Sequence, residues 1–283
     1  MDMRSRAALS VNIAVLLFGL AGLFAKWIHI PAIGITFGRV LFSSIALGIY
    51  ILVRKQSFRI ADRKAILSLL FAGVILALHW WSFLESIQLS TVAVGTITFS
   101  SFPLFVTFLE PMLLHQKTEK RNVIIAVIIL IGVLIIIPEF SFENQVFTGI
   151  LTGMISAFAY AVLTIMNKGF AEKYGGTVTA FYEQATAAAV LLPFVLSARI
   201  RPSAADLGLL LFLGVITTAL AHTLFISSLK SLPAQIAGII SSLETVYGIL
   251  FALILLGEIP TFREIVGAVV IVGAVTVAQM RAD

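Results

Sequence analysis

Residues Ala32–Val53, AIGITFGRVLFSSIALGIYILV, form a long apolar run that contains a single charged side chain, Arg39. A transmembrane helix needs about 20 mainly apolar residues, because the hydrocarbon core of a bilayer is about 30 Å thick. This run is therefore long enough to cross a membrane. We expect it to be helical, since lipid cannot satisfy the backbone groups at the edge of an open sheet.

The composition of the whole chain extends this prediction beyond one helix. Of its 283 residues, 60% are hydrophobic and only 12% are charged, and the mean hydropathy is +1.08. Soluble domains are closer to one half apolar and one quarter charged. The chain is therefore predicted to be an all-α integral membrane protein. The absence of cysteine excludes disulfides, thiol nucleophiles and cysteine-ligated metals.

Apolar runs recur along the chain, separated by charged segments or by segments that contain proline or glycine. Ten of these runs are predicted to be transmembrane helices. Their approximate bounds are 7–25, 32–53, 65–84, 91–114, 122–137, 146–167, 177–197, 206–229, 233–256 and 263–280. The first run has no convincing cleavage signal and leads directly into further spans, so it is predicted to be a retained helix.

The basic residues predict the orientation of these spans. With the N-terminus inside, 14 of the 19 lysines and arginines fall in inside segments, four fall in outside segments, and Arg39 lies within a span. Cytoplasmic loops carry an excess of lysine and arginine. The sequence therefore predicts a multi-pass protein of the cell (inner) membrane with both termini in the cytoplasm.

This orientation can be tested with cysteines introduced at Lys64 and Lys117, because the chain has no cysteine of its own. Both positions are expected to react with a membrane-impermeant thiol reagent only from the cytoplasmic side. A cysteine at Arg199 is the matched control and is expected to react only from outside. Labelling of Lys64→Cys from outside would overturn the topology.

The two halves of the chain resemble each other at a spacing of about 142 residues. Residues 86–105, SIQLSTVAVGTITFSSFPLF, align with residues 228–247, SLKSLPAQIAGIISSLETVY, and Lys26 aligns with Lys168. Because each half holds an odd number of spans, the second half must be upside down relative to the first. The predicted fold is ten transmembrane helices in two inverted five-helix repeats, 1–140 and 141–283. Inverted repeats are typical of secondary transporters, with solute bound near the membrane midplane.

Three features carry a resemblance to a known family. They are Arg39 early in the second span, LHWWSFLESIQLSTVAVGTITFSSFPLF at residues 78–105, and SSLETVYGILFALILLGEIPT at residues 241–261. Together they resemble the EamA-type members of the drug/metabolite transporter superfamily. That family usually has Glu-Pro-Val where this chain has Glu244, Thr245 and Val246, so a proline kink there is not implied.

The resemblance implies a secondary transporter that moves a small metabolite, an amino acid or a related compound, by alternating access and in the direction of efflux. Spans one, three, four, six, eight and nine are expected to line its cavity. An importer, or a vitamin or nucleotide carrier of the same fold, remains an alternative. A membrane enzyme or subunit without transport is a further one.

The implied partners are a small-molecule solute and the lipid bilayer, with no nucleic acid, and the protein is expected to be a monomer or a homodimer. The sequence contains no HExxH, GxSxG or P-loop motif. We therefore expect no enzyme activity, no ATP-driven transport, no cofactor and no metal.

Charged residues inside the predicted spans are the first candidates for function, because a charge within the membrane is costly and usually faces protein or water. Arg39 is expected either to pair and gate the outer end, with Glu85 as its partner, or to snorkel to the interface. Glu244 and Glu183 are candidates for proton coupling, since a protonated carboxyl costs much less than an ionised one at that depth. A hydrogen bond between helices is the alternative role for both.

Polar and aromatic side chains within the spans are candidates for contact with the solute. Histidine titrates near neutral pH, and aromatic faces bind flat or cationic groups. The same residue types also fill helix contacts and interfacial belts. The predicted solute-binding residues are Glu244, His222, Trp80, Tyr160, Tyr247 and Thr98. Pro103 is expected to kink the fourth span and to act as a hinge or gate.

Overall fold

The structure is a computed structural model that describes residues 3–60, 62–113, 120–232, 240–241 and 243–280. Within these ranges the chain is helical and contains no β-strand, which confirms the predicted all-α class. The helices are α1 (Met3–Ala21), α2 (Phe24–Trp27), α3 (Ala32–Val53), α4 (Arg63–Leu89), α5 (Val92–Phe99), α6 (Phe102–Leu113), α7 (Lys120–Ile136), α8 (Gln145–Tyr174), α9 (Gly176–Ser197), α10 (Ala204–Gly214), α11 (Ala221–Ser228), α12 (Leu243–Phe251) and α13 (Phe262–Met280). Two short π-helical segments, Val215–Leu220 and Ala252–Leu256, follow α10 and α12.

Several helical stretches are long and apolar enough to cross a bilayer. The six long ones are Ala7–Trp27, Ala32–Val53, Arg63–Leu89, Gln145–Tyr174, Gly176–Ser197 and Ala204–Ser228. Shorter apolar stretches cover Val92–Val106, Val123–Ile136 and Leu243–Leu256. The multi-pass membrane class is thus confirmed, whereas the count of ten spans stays a prediction. Leu114, Lys117 and Pro233 lie outside the described residues.

Two helices extend beyond the predicted apolar runs, and polar side chains cap their starts. The third predicted span ends at Leu84 and the sixth at Asn167, but α4 and α8 both continue for more than a turn beyond those positions. Asp62 caps the start of α4 and Asn144 caps the start of α8, each with a side-chain oxygen that accepts from backbone amides. Such caps satisfy amides that have no partner within the helix.

The fourth predicted span is divided into α5 and α6, with the break at Ser100 and Ser101. Pro103 lies in the first turn of α6, where its missing N–H leaves no helical hydrogen bond unmade. The expected kink at Pro103 is therefore corrected to a break just before it. There the two halves meet, because Ser100 Oγ hydrogen-bonds to Thr245 Oγ1, which donates to Thr96 O at 3.0 Å.

The two halves pack through equivalent helices, and glycines make the contacts close. α3 packs on α9, and α7 packs on α13. The contact of α4 with α8 corresponds to the contact of α11 with α1 in the other half. A Cβ added to Gly73 of α4 would lie 2.6 Å from Glu183 O of α9. A Cβ added to Gly214 of α10 would lie 2.9 Å from Arg39 O of α3. Small residues let helix backbones approach in this way.

The two ends of the bundle are held by different sets of contacts. At one end, Lys26 Nζ donates to Ser90 O at 2.7 Å and Val92 N donates to Glu258 Oε2 at 3.0 Å. These bonds tie together connections that are predicted to lie outside. At the other end, Lys173 Nζ of α8 lies 3.9 Å from Asp62 Oδ2 at the start of α4.

Candidate solute-binding site

Residues from both halves of the chain line a cavity within the bundle. Its lining comes from α1, α3, α4, α5, α8, α11 and α12 and consists of Phe18, Ala21, Arg39, His79, Trp80, Phe83, Phe99, Tyr160, His222 and Glu244. The cavity is therefore formed jointly by the two repeats.

The cavity brings together side chains that the sequence places on separate spans. Four of the predicted solute-binding residues, Trp80, Tyr160, His222 and Glu244, lie in its wall. Arg39 lies there as well. All five side chains are buried within the bundle.

Two other predicted solute-binding residues lie at helix contacts. Thr98 is fully buried, and its Oγ1 donates to Val94 O at 2.8 Å while its side chain packs against Gly153 of α8. Tyr247 of α12 packs against Gly19 of α1, where an added Cβ would lie 2.7 Å from Tyr247 Cβ. Neither residue belongs to the described lining of the cavity.

Arg39 points into the bundle and not toward the interface. It is 2% exposed, and its Nε donates to Thr218 Oγ1 at 3.1 Å. Its guanidinium carbon lies 4.0 Å from the centroid of the Trp80 ring, and Glu244 lines the same cavity. A desolvated cation–π contact contributes about 2 kcal/mol or more. Snorkelling is thus excluded, and the expected partner Glu85 is half-buried and does not belong to the described cavity wall.

A second polar pair lies on the other side of Trp80. His222 Nε2 lies 2.8 Å from Glu183 Oε2, and both side chains are almost completely buried. The His222 ring packs against the Trp80 ring with centroids 5.4 Å apart. Glu183 therefore contacts a residue of the cavity wall, His222.

The predicted internal repeat relates these two pairs to each other. At a spacing of about 142 to 144 residues, Arg39 corresponds to Glu183 and Trp80 corresponds to His222. The Arg39–Trp80 contact in the first half is therefore equivalent to the Glu183–His222 contact in the second half. Arg39 and Glu183 thus occupy corresponding positions but carry a basic and an acidic group, respectively. The contact between the Trp80 and His222 rings connects the two pairs.

The sequence analysis missed most of the aromatic wall. His79 was not selected, yet its Nδ1 lies 2.8 Å from Ser156 Oγ and its ring lies 4.7 Å from that of Tyr160. Phe99 also packs on Tyr160, at 5.2 Å between centroids. The repeat offered a signal for Phe18, because Phe18 and Tyr160 are 142 residues apart.

This arrangement can bind a small polar solute with both charged and apolar parts. The Arg39 guanidinium suits an anionic group and the Glu244 carboxyl suits a cationic one. The aromatic wall can pack against the remainder of the solute. Within the described ranges, no group of three or more histidine, aspartate or glutamate residues is placed to hold a metal ion.

Comparison with known proteins places this geometry in a family. The model of the EamA-like transporter family matches the chain twice, at residues 5–137 and 147–279. A transporter of unassigned substrate from Bacillus subtilis is 23% identical, with 98% of this chain and 91% of that protein covered. An S-adenosylmethionine uptake transporter of Rickettsia prowazekii is 25% identical over 85% of this chain and 80% of its own length. A pseudopaline exporter of Pseudomonas aeruginosa is 24% identical over 87% and 85%, respectively.

A solved crystal structure shares the fold. It superimposes with a TM-score of 0.70 at 18% sequence identity, covering 98% of this chain and 97% of the other. The two matches of the family model leave only the ends and a short central segment of the chain uncovered. On this evidence, the protein is a member of the EamA-like transporter family.

Proposed function

We propose that the protein is a secondary transporter that moves a small metabolite across the cell membrane by alternating access. The observation that carries this proposal is the cavity between the two halves, which combines Arg39, Glu244 and an aromatic wall. Ionisable residues inside a membrane domain are expensive and commonly mark solute or ion pathways. Membership of a transporter family also supports a role of the cavity in solute transport.

We further propose ten spans in two inverted halves, with both termini in the cytoplasm. The directions of α1, α4 and α8 support the inversion. Lys26 Nζ bonds Ser90 O, so the chain leaves α1 and α4 at the same end of the bundle. Ser86 Oγ donates to Gly149 O at 2.6 Å, so α8 starts at the end where α4 finishes. Because α1 and α8 occupy equivalent places in the repeat, their opposite directions fit an inverted arrangement.

Alternating access requires contacts that open and close on either side of the solute. The Lys26–Ser90 and Val92–Glu258 hydrogen bonds join the predicted outer connections. These bonds must separate before the cavity can open to the outside. The gating role predicted for Arg39, Glu85 and Pro103 is therefore proposed in part for these outer hydrogen bonds. Arg39 is instead proposed to bind the solute in the cavity.

An amino acid or a related compound is the proposed solute, moved in the direction of efflux. Arg39 and Glu244 lie in one cavity and complement the carboxylate and ammonium groups of such a molecule. The relatives include both an uptake transporter and an exporter. Since an alternating cavity works in both directions, import of a similar solute is the alternative.

Counterflow into proteoliposomes tests this function with a panel of labelled amino acids, purines and a cationic dye. The wild-type protein is expected to exchange at least one panel solute with saturable kinetics. Glu244→Gln is expected to weaken solute binding about tenfold or more, because a charge-assisted hydrogen bond contributes about 1.5–3 kcal/mol. Glu172→Gln is the matched control, since Glu172 is exposed at the end of α8.

A thermal-shift measurement on the same panel gives a second readout, because a bound solute stabilises the folded state by mass action. Absence of exchange for every solute, with or without a pH gradient, would favour a membrane protein without transport activity. Equal affinities of wild type and Glu244→Gln would remove Glu244 from the solute site.

A further inference from the structure

We infer that the Glu183–His222 pair is the proton-binding site that couples solute movement to a pH gradient. This inference deepens the proposed transport function and rests on it. The sequence nominated Glu244 and Glu183 for proton coupling and assigned His222 to the solute. The structure joins Glu183 and His222 in one pair and leaves Glu244 facing Arg39 across the cavity.

Only one of the two carboxyl oxygens of Glu183 has a hydrogen-bond partner among the described residues. Its Oε2 lies 2.8 Å from His222 Nε2, while its Oε1 is buried and has no hydrogen-bond partner among the residues that the structure describes. A buried carboxylate with so few partners is costly in a dry interior. Additional protonation of the pair removes that cost.

The Glu183–His222 pair has two protonation states that differ by one proton. With neutral His222, Nε2–H donates to the Glu183 carboxylate and the pair carries one negative charge. One further proton makes the pair neutral, either as imidazolium and carboxylate or as imidazole and carboxylic acid. The pair therefore takes up and releases a single proton without breaking the contact between its two members.

Access to the pair runs through the solute cavity. His222 belongs to the cavity wall, whereas Glu183 is fully buried behind it and is not one of the described lining residues. A proton that arrives from the cavity thus meets His222 first. The proton and the solute consequently use the same compartment of the protein, as coupling between them requires.

Other charged and titratable groups around the pair determine the sign of the coupling. The groups that face it from neighbouring helices are Arg39 of α3, His79 of α4, Tyr160 of α8 and Glu244 of α12. The positive charge of Arg39 opposes a second positive charge on His222. An anionic group of the solute at Arg39 reduces this repulsion and so favours proton uptake. By thermodynamic reciprocity, the bound proton favours the solute equally, so the two move in the same direction and an inward proton gradient drives the import alternative.

The same stretch of chain contacts both charges. Arg39 donates to Thr218, which lies in the π-helical segment Val215–Leu220, and Glu183 holds His222 just beyond that segment. π-helical turns within longer helices occur frequently at functional sites. A change of charge at His222 therefore acts on the segment that connects the solute-binding Arg39 with the second half.

Histidine NMR on the full-length protein in nanodiscs tests proton binding without any solute. The chain has only four histidines, so loss of single signals in His29→Gln, His79→Gln and His115→Gln assigns His222 while leaving the pair intact. The signals of the His222 ring are expected to respond to pH, and Glu183→Gln is expected to alter this response. A His222 signal that is insensitive to pH, or a response unchanged in Glu183→Gln, would overturn the inference.

Proteoliposomes with an imposed pH gradient test the coupling, with the panel of labelled amino acids as the probe. One coupled proton allows the wild type up to about tenfold accumulation per unit of pH gradient. Glu183→Gln is expected to retain solute exchange but to lose this accumulation, while Glu172→Gln keeps both. Accumulation that persists in Glu183→Gln, or that is lost in Glu244→Gln alone, assigns the proton elsewhere. Exchange by the wild type without any response to pH overturns the inference only, whereas absence of exchange overturns the proposed function.

Discussion

Replacement of Arg39 by glutamine is expected to lower solute flux by about 10- to 100-fold, which corresponds to loss of one charge-assisted hydrogen bond to the solute. It is also expected to destabilise the protein by about 2 kcal/mol or more, the contribution of a desolvated cation–π contact. The reason is that Trp80 loses the guanidinium packed on its ring and Thr218 loses the hydrogen bond from Arg39 Nε. Counterflow and thermal unfolding of the purified variant measure the two effects.

Three further variants make this test specific. Arg39→Lys keeps the charge but lacks the planar guanidinium, so it is expected to restore stability only in part. The double variant Arg39→Gln/Glu244→Gln removes both ionisable groups and is expected not to recover flux. Arg59→Gln changes an exposed arginine outside the cavity and serves as the control. Wild-type flux in Arg39→Gln would show that the solute does not use this residue.

Replacement of Gly214 by valine is expected to destabilise the bundle and to reduce transport strongly. An added Cβ would lie 2.6 Å from Phe42 Cβ and 2.9 Å from Arg39 O, so α10 and α3 must move apart. Overpacking of this kind costs about 1–3 kcal/mol and occasionally more. The displacement also weakens the Arg39–Thr218 hydrogen bond, because Thr218 follows Gly214 in the same span.

Gly208→Val is the matched control for this prediction. Gly208 lies on the same helix, and a Cβ built there meets no atom within 4 Å. Its substitution is expected to leave the unfolding temperature and the flux close to those of the wild type. Equal unfolding temperatures for Gly208→Val and Gly214→Val would show that the α3–α10 contact is not as close as described.

Much of the fold could be predicted because the signals are local. The length of an apolar run such as Ala32–Val53 shows directly whether it can cross a bilayer. Within lipid such a run must be helical, because only a helix satisfies its backbone hydrogen bonds internally. The ends of the helices and the break before Pro103 were predicted less well. They depend on capping by polar side chains such as Asp62 and on the Ser100–Thr245 contact between the halves.

The sequence predicted several residues of the site, but not the contacts between them. Depth along a span identified Arg39, His222 and Glu244 as unusual, because charged and polar groups are costly within a membrane. Depth alone led to Glu85 as the partner of Arg39 and gave no partner for Glu183. Partners on other helices also depend on how each helix is rotated about its axis, which depth does not describe.

By itself, the sequence determined that this protein is helical and lies in the membrane, since run length and charge act along the chain, and its motifs resemble those of a transporter family. Only the tertiary structure decided that Arg39 packs on Trp80 and that His222 binds Glu183. Those contacts need α3, α4, α9 and α11 to approach at set rotations. Glycines at the crossings allow that approach, and the resulting side-to-side packing cannot be read from any one helix.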